Sequence, residues 1–333
     1  MSDSAQQQVA VVGVGSPLMD LILHVDDDFL GAHVPGAKGG MEYRSPEEIQ
    51  AIIAASGKQP QCVPGGAAAN TTKAISALGV SSAFVGSVGA DAYAEQFRQG
   101  LLACACEPRL QTCDLATGHV LSLVTPDAQR TMRTCLGAAV ALDPAAVQAD
   151  WFVGAEVVML EGYTLFNHQL TQAIASAAKE AGARLALDLA SFEVVQANRD
   201  LILGLLDGQV DVVFANEDEA KALLPEGDEL AALRFLAERC TIAVVKVGAD
   251  GAWIRSAANE MHVAAAPVAQ VLDTTGAGDT WAAGFLAGLV RGLPLHECGE
   301  MGAQAAAAVV QVSGASVPAE AWLAMRGRLD AWA

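Results

Sequence analysis

The sequence is short of aromatic residues, at 5%, and short of charge, at 17%. So few rings leave little stacking surface for a single-stranded nucleic acid. Positive charge is the scarcer sign: 19 Lys and Arg stand against 38 Asp and Glu, a formal net charge of −19. A chain this acidic is a poor match for nucleic acid or for an anionic membrane surface. No apolar run reaches the roughly 18 residues that span a bilayer. Cysteine is present but unpatterned: the 7 are an odd number, and no C-x-x-C occurs. They read as reduced thiols of a cytoplasmic protein. Cys104, Cys106 and Cys113 make only a weak metal candidate, because C-x-C leaves poor room for tetrahedral closure. Residues 1–8 carry neither a basic segment nor an apolar one, so a flexible tail is expected there rather than a signal peptide.

Several catalytic signatures are missing as well. There is no H-E-x-x-H and no G-x-S-x-G. Gly13-Val14-Gly15 begins like a dinucleotide fingerprint, but Leu18 stands where the third small residue belongs. Gly31 to Gly36 has P-loop spacing, yet Ala37-Lys38 follows where Lys-Ser or Lys-Thr is needed.

What is there is a core. Hydrophobic residues make up 53% of 333, enough for one large α/β domain or two ordinary ones. Continuous apolar runs recur at 9–15, 83–86, 157–160, 184–187, 211–214 and 241–245. Unbroken apolarity, rather than alternation, marks strands covered on both faces. Ala-rich amphipathic stretches such as 167–181 and 217–224 lie between them. The alternation predicts an α/β fold with a mainly parallel sheet sandwiched by helices. No internal repeat and no clean boundary divides the chain. Two stretches interrupt the pattern, 21–44 and 118–136, the second a β-hairpin turning at Pro126-Asp127. They are either ordinary surface excursions or strands of a small accessory sheet.

The strongest chemical signal is Asp273-Thr274-Thr275-Gly276-Ala277-Gly278-Asp279. Val268–Leu272 reads as a strand, and Trp281, Phe285 and Leu289 recur at helical spacing behind it. The glycines would then sit at a strand-to-helix turn. Free N–H groups at a helix start, with small residues around them, admit an anion. Asp279 there is either a base for a hydroxyl attacking a phosphoryl group or an ordinary N-terminal acid. Gly65-Gly66 followed by Asn70 offers close backbone approach and an amide suited to a polyol. Asn216 and Glu219, at i and i+3 behind the 211–214 run, are either Mg²⁺ organisers acting through water or an acidic first turn favoured by the helix dipole. Lys246, Gly248 and Gly251 follow another strand. Asp20, in an early turn, can take two sugar hydroxyls. Asn70, Asp188, Asn216, Gly248 and Asp279 each follow a strand closely, and open α/β sheets bind ligands at the carboxyl ends of their strands.

These residues resemble the PfkB (ribokinase-like) carbohydrate kinase family from Val9 to about Pro318. The carriers are the 273–279 run, Gly65-Gly66-x-x-x-Asn70, Asn216-x-x-Glu219 and the 305–318 tail. The resemblance implies a three-layer α/β/α sandwich over 1–333, with a small β-sheet lid from 21–44 and 118–136. It implies ATP-dependent phosphorylation of a primary hydroxyl. Asp279 would be the base, and the Gly276, Ala277 and Gly278 amides the anion hole. Asp20, Gly66, Asn70 and Glu161 would hold substrate. Asn216, Lys246, Gly248, Gly251 and Thr274 would flank the nucleotide, and Asn216 and Glu219 would organise Mg²⁺. A monovalent cation beside the glycine turn is allowed by the same analogy. Ala67, where phosphosugar kinases of the family often carry Lys, disfavours a phosphorylated sugar. The runs 15–20, 136–138 and 160–163 are similar to the adenosine-kinase branch, with Leu18, Met19 and Phe29 placed to pack on a base. Arg133 stands where many such relatives carry Asn, and Lys246 where they often carry Thr, in contact with phosphate or merely solvated. A nucleoside, adenosine first, is the expected acceptor, with ribose or a hexose as the alternative. A sensor that binds without turnover is the reading from a different class. The sequence allows a monomer or a homodimer.

Overall fold

The computed structural model describes residues 8–127, 129–257, 259–312, 314–315 and 317–332. All but one residue of the expected 1–8 tail therefore lie outside the described residues. Fourteen strands run in chain order: β1 (Val11–Val14), β2 (Leu18–His24), β3 (Met41–Tyr43), β4 (Gln61–Gly65), β5 (Ser82–Val88), β6 (Cys106–Thr112), β7 (His119–Val124), β8 (Arg130–Cys135), β9 (Val157–Glu161), β10 (Arg184–Asp188), β11 (Val212–Asn216), β12 (Ile242–Lys246), β13 (Ala252–Ser256) and β14 (Glu260–Val263). Nine form one sheet in the order β14-β13-β12-β11-β10-β9-β1-β5-β6. Its seven strands from β12 to β6 are parallel, and β13 and β14 close one edge antiparallel.

The apolar runs become these central strands because both faces are covered. On one face Val11, Phe84, Met159 and Phe214 pack with helices 67–77, 277–290 and 295–309. On the other, Val12, Val158, Leu187 and Val213 pack with helices 168–180, 192–206 and 229–237. Alternate residues of each strand serve opposite faces, as the period of two requires.

The remaining strands form a smaller sheet in the order β3-β8-β7-β2-β4. The 118–136 hairpin is there as β7 and β8. The sheet is larger than 21–44 and 118–136 suggest: β2 begins at Leu18, and Gln61–Gly65 supplies an edge strand that the sequence pattern does not reveal. Pro64 and Gly65 break any strand-like run there, which is tolerated only at an edge. On β2, Met19, Leu21 and Leu23 are buried in the core while Leu18, Asp20 and Ile22 take the opposite face.

The expected strand at 268–272 is not one. The segment is coil, with Val271 and Leu272 more than half exposed, and the Leu272 and Asp273 N–H groups both donate to the Val310 carbonyl. Its backbone is satisfied by a helix end rather than by a neighbouring strand. No helix among the described residues is long and apolar enough to cross a membrane.

Candidate active site

Register brings the functional side chains to one edge of the large sheet. Glu161 ends β9 opposite Asp188, which ends β10. Asn216 ends β11 opposite Lys246, which ends β12. The 273–279 bend lies against this edge, held from below by its own helix. Trp281 and Phe285, one turn apart, stack with centroids 5.5 Å apart, and Phe285 meets Phe214 of β11 edge-on. That aromatic anchor sets where Asp279 stands.

Asn70 donates from Nδ2 to Asp279 Oδ2 at 3.0 Å, and Thr71 Oγ1 donates to the Asp279 carbonyl at 3.2 Å. Burial raises Asp279 to a pKa of about 7; the Asn70 bond and the Lys246 ammonium pull it down, and Asp188 and Glu161 push it up. A carboxylate with a pKa near neutrality suits proton abstraction from an alcohol. Gly276, in the left-handed region at φ 75°, starts the helix. Of the three expected amides, that of Ala277 is engaged, donating to the Thr274 carbonyl at 3.1 Å. The Gly276 and Gly278 N–H groups have no acceptor among the described residues. The turn that tightens the bend consumes the middle amide and leaves its neighbours open.

Asp273, quoted in the motif without a role, organises this bend. Its Oδ1 accepts from the Thr275 N–H at 2.9 Å and Oγ1 at 2.7 Å. Its Oδ2 accepts from the Gly314 N–H at 2.8 Å and Arg130 Nη2 at 2.5 Å. Arg130 comes from β8, so the smaller sheet reaches the bend directly.

Asp20 lies on the open face of β2. A Cβ on Gly65 would stand 2.3 Å from its carboxylate, so only glycine lets the two meet. Burial lifts Asp20 to a pKa of about 6 against the opposing charges of Lys73 and Arg130. Gly66, at φ 98°, begins helix 67–77, and a Cβ there would strike the Ser16 carbonyl at 2.3 Å. Glu161 is not open to a ligand. It is 1% exposed, and its two oxygens accept from the backbone N–H groups of Ser16, at 2.7 Å, and Ala68, at 3.0 Å. It ties the end of β1 to the Gly66 turn, a supporting place rather than a lining one.

Asn216 and Glu219 close on each other. The Glu219 carboxylate accepts from Asn216 N and Nδ2, each at 2.8 Å, and Asn216 Oδ1 accepts from the Glu219 N–H at 2.9 Å. This is a reciprocal helix cap. Burial and the nearby Asp188 raise Glu219 to a pKa of about 7, against the Lys246 charge. Lys246 is not solvated: its ammonium lies 3.1 Å from Asp188 Oδ2, with both side chains mostly buried. Neither Asp188 nor this pairing is signalled by a motif.

Among the described residues no three His, Cys, Asp or Glu side chains converge to hold a metal. The Cys104, Cys106 and Cys113 candidate gathers no further ligand, and all seven cysteines are free. The oxygen donors of Asn216 and Glu219 still fit Mg²⁺ held through water, an ion that keeps several waters and takes its other ligands from phosphate.

Two cavities flank the cluster. One of about 620 Å³ is lined by Gly248, Gly251, Thr274, Ala277, Trp281 and a row of alanines and valines. The other, about 500 Å³, opens beside Gly15 and Ser16 and is lined by Val140, Tyr163 and Phe166. Tyr163 and Phe166 are 48% and 60% exposed. They are the rings presented here; Met19 is fully buried, and Phe29 packs into the core of the smaller sheet. Arg133 faces away from the bend. It is fully buried, donating to the carbonyls of Pro35, Gly40 and Met132.

An acid between an amide cradle and a polar cleft, with an apolar cavity behind it, is the arrangement of a phosphotransferase acting on an alcohol. The profile of the pfkB family carbohydrate kinases matches residues 43–322, and the chain belongs to that family. It is 30% identical to the ribokinase of Arabidopsis thaliana over 82% of this chain and 73% of that protein. The crystal structure of adenosine kinase from Sinorhizobium meliloti superposes with a TM-score of 0.84 at 32% identity, covering 96% of this chain and 99% of that one. A probable sugar kinase from Rhizobium etli gives 0.85 at 31%, covering 97% and 99%. The protein is a sugar or nucleoside kinase with the ribokinase-like fold.

Proposed function

We propose that the chain transfers the terminal phosphoryl group of ATP to the 5′-hydroxyl of a nucleoside, adenosine foremost. The observation that carries the nucleoside over a free sugar is the pair of exposed rings, Tyr163 and Phe166, on the cavity beside Ser16. A sugar needs polar partners; a flat base needs an apolar face. The similarity to adenosine kinase supports the same choice. The 30% identity to a ribokinase favours ribose as the competing acceptor.

In this reading Asp20, Gly66 and Asn70 hold the ribose hydroxyls, with Glu161 fixing the turns behind them. Asp279 takes the proton of the attacking hydroxyl while its oxygen bonds to phosphorus and ADP leaves. The open Gly276 and Gly278 amides face the charge that develops. The 620 Å³ cavity takes the nucleotide base, with Gly248, Gly251 and Thr274 at its mouth. Asn216 and Glu219 would hold Mg²⁺ through water, where its charge would offset that of the phosphates. The smaller sheet serves as a lid, excluding the water that would otherwise accept the phosphoryl group.

The test is ADP release from ATP and Mg²⁺ across a panel of nucleosides and free sugars. A kcat/KM for adenosine at least about tenfold above that for ribose supports the reading. A preference for ribose or a hexose overturns it, and adenosine binding without ADP release with any acceptor would mark a sensor.

A further inference from the structure

Lys246 stands at the amide cradle itself. A Cβ built on Gly278 would lie 3.2 Å from its ammonium nitrogen, so that nitrogen hangs over the bend whose Gly276 and Gly278 amides are open. It is held there. Asp188 Oδ2 is 3.1 Å away, and Asp188 Oδ1 accepts from the Ala190 N–H at 3.0 Å, so both carboxylate oxygens are committed. The loop beneath is closely packed: Ala190 is in the left-handed region at φ 66°, and the 188–189 carbonyls approach Gly162 so closely that a Cβ there would be 2.6 Å away. A lysine on a flexible stem is ordinarily a mobile charge. Here a fixed partner turns it into a fixed one.

We propose that Lys246 is a catalytic residue whose ammonium stabilises the charge on the phosphoryl group as it passes from ADP to the hydroxyl at the 276–278 bend, and that Asp188 is the residue that positions it. The inference deepens the kinase reading and rests on it. A cation fixed at that point meets charge most strongly when the phosphoryl group leaves ADP, so its loss is read in kcat rather than in the KM for ATP. Asp188 touches no substrate and acts through the lysine.

The experiment compares wild type, K246M, D188N, K246R and the K246M/D188N double variant with ATP, Mg²⁺ and the acceptor turned over in the panel. K246M is expected to lower kcat about 100-fold with the KM for ATP within about threefold. ADP with aluminium fluoride, which resembles the phosphoryl group in flight, should lose affinity for K246M while a non-hydrolysable ATP analogue does not. D188N should lower kcat about tenfold, and K246R should restore part of the K246M loss. The double variant should be no slower than K246M, because Asp188 works through Lys246. It also removes both charges of a buried pair, so it tests the lysine if K246M alone does not fold. A double variant within about threefold of wild-type kcat overturns the inference, as does a loss confined to the KM for ATP. D188N and K246M losses that multiply in the double variant overturn the role given to Asp188. A wild-type protein that phosphorylates no acceptor overturns the kinase reading and this inference together.

Discussion

The amide of Asn70 donates to the carboxylate of Asp279 across 3.0 Å, joining the starts of two helices that lie 209 residues apart in sequence. The bond favours the ionised acid against burial, which raises it to about 7. Asp279 must be ionised to accept a proton, so kcat/KM should rise with pH up to about 7 and level off above. In N70A the rise should move to higher pH, because the group that favours the charged form is gone. A rise at the same pH in both proteins would separate the two residues.

Asp279→Asn keeps the acceptor oxygen for Asn70 but cannot take a proton, and kcat should fall at least about 100-fold with acceptor binding retained. Stability should move the other way. An acid raised from 3.8 to about 7 contributes stability that is complete below 3.8 and lost as pH climbs through 7. At pH 8 the wild type carries a buried charge that the amide lacks, so the melting temperature of D279N should be a few degrees higher. At pH 4 the gain should largely vanish. Equal differences at both values would remove the buried charge from the explanation.

Glu161 bridges the Ser16 and Ala68 N–H groups through a buried carboxylate. Gln offers one acceptor and turns an NH₂ toward the second donor. Leaving a buried N–H unpaired costs about 1–3 kcal/mol, so E161Q should melt several degrees lower. Because the Gly15 and Gly66 turns loosen together, the KM for the acceptor should rise more than kcat falls. A normal melting temperature with a raised KM would point instead to direct contact with substrate.

The large sheet is legible because strands buried on both faces need unbroken apolar runs, and 157–160 or 241–245 can be nothing else at that length. The bend is legible because small residues and an acid must coincide at the helix start. What sequence hides is partnership. Val268–Leu272 has the composition of a strand, yet it joins neither sheet and its last residue bonds to Val310 instead. Gln61–Gly65 has the composition of a loop, yet β2 recruits it. Lys246 reads equally as a phosphate contact or a solvated lysine until register sets it two strands from Asp188. Glu161 enters as a substrate contact only through the family resemblance, and its two backbone donors come from segments 145 and 93 residues away. No spacing encodes such contacts.

Arg130 crosses from the smaller sheet to Asp273, with the two side chains 29% and 14% exposed. Asp273 keeps its Thr275 and Gly314 donors without the arginine, and Arg130 is partly open to water, so the bridge stabilises the fold by about 1 kcal/mol. Arg130→Met should therefore change the melting temperature little. It should nevertheless free the hairpin from the bend, and amide exchange over 130–135 and 273–276 should quicken. Raising salt should speed the same exchange in wild type and leave the variant unmoved, since screening acts on a pair that the variant lacks. Unaltered exchange in R130M would show that the hairpin is held by its strands alone.

Substitution of Tyr163 tests the choice between the two acceptors. Its ring borders the cavity beside Ser16 and is 48% exposed, while the Asp279 charge contributes to raising its phenol, after burial itself. It presents a face to that cavity. Stacking on one base contributes about 1–3 kcal/mol. Tyr163→Ala should raise the KM for adenosine about tenfold or more and leave any residual turnover of ribose unchanged, because ribose carries no flat aromatic base to stack on it. Phenylalanine should restore adenosine, since the face and not the hydroxyl does the work. A Tyr163→Ala variant that loses ribose and adenosine equally would place the ring under the sugar and hand the acceptor to the ribokinase reading.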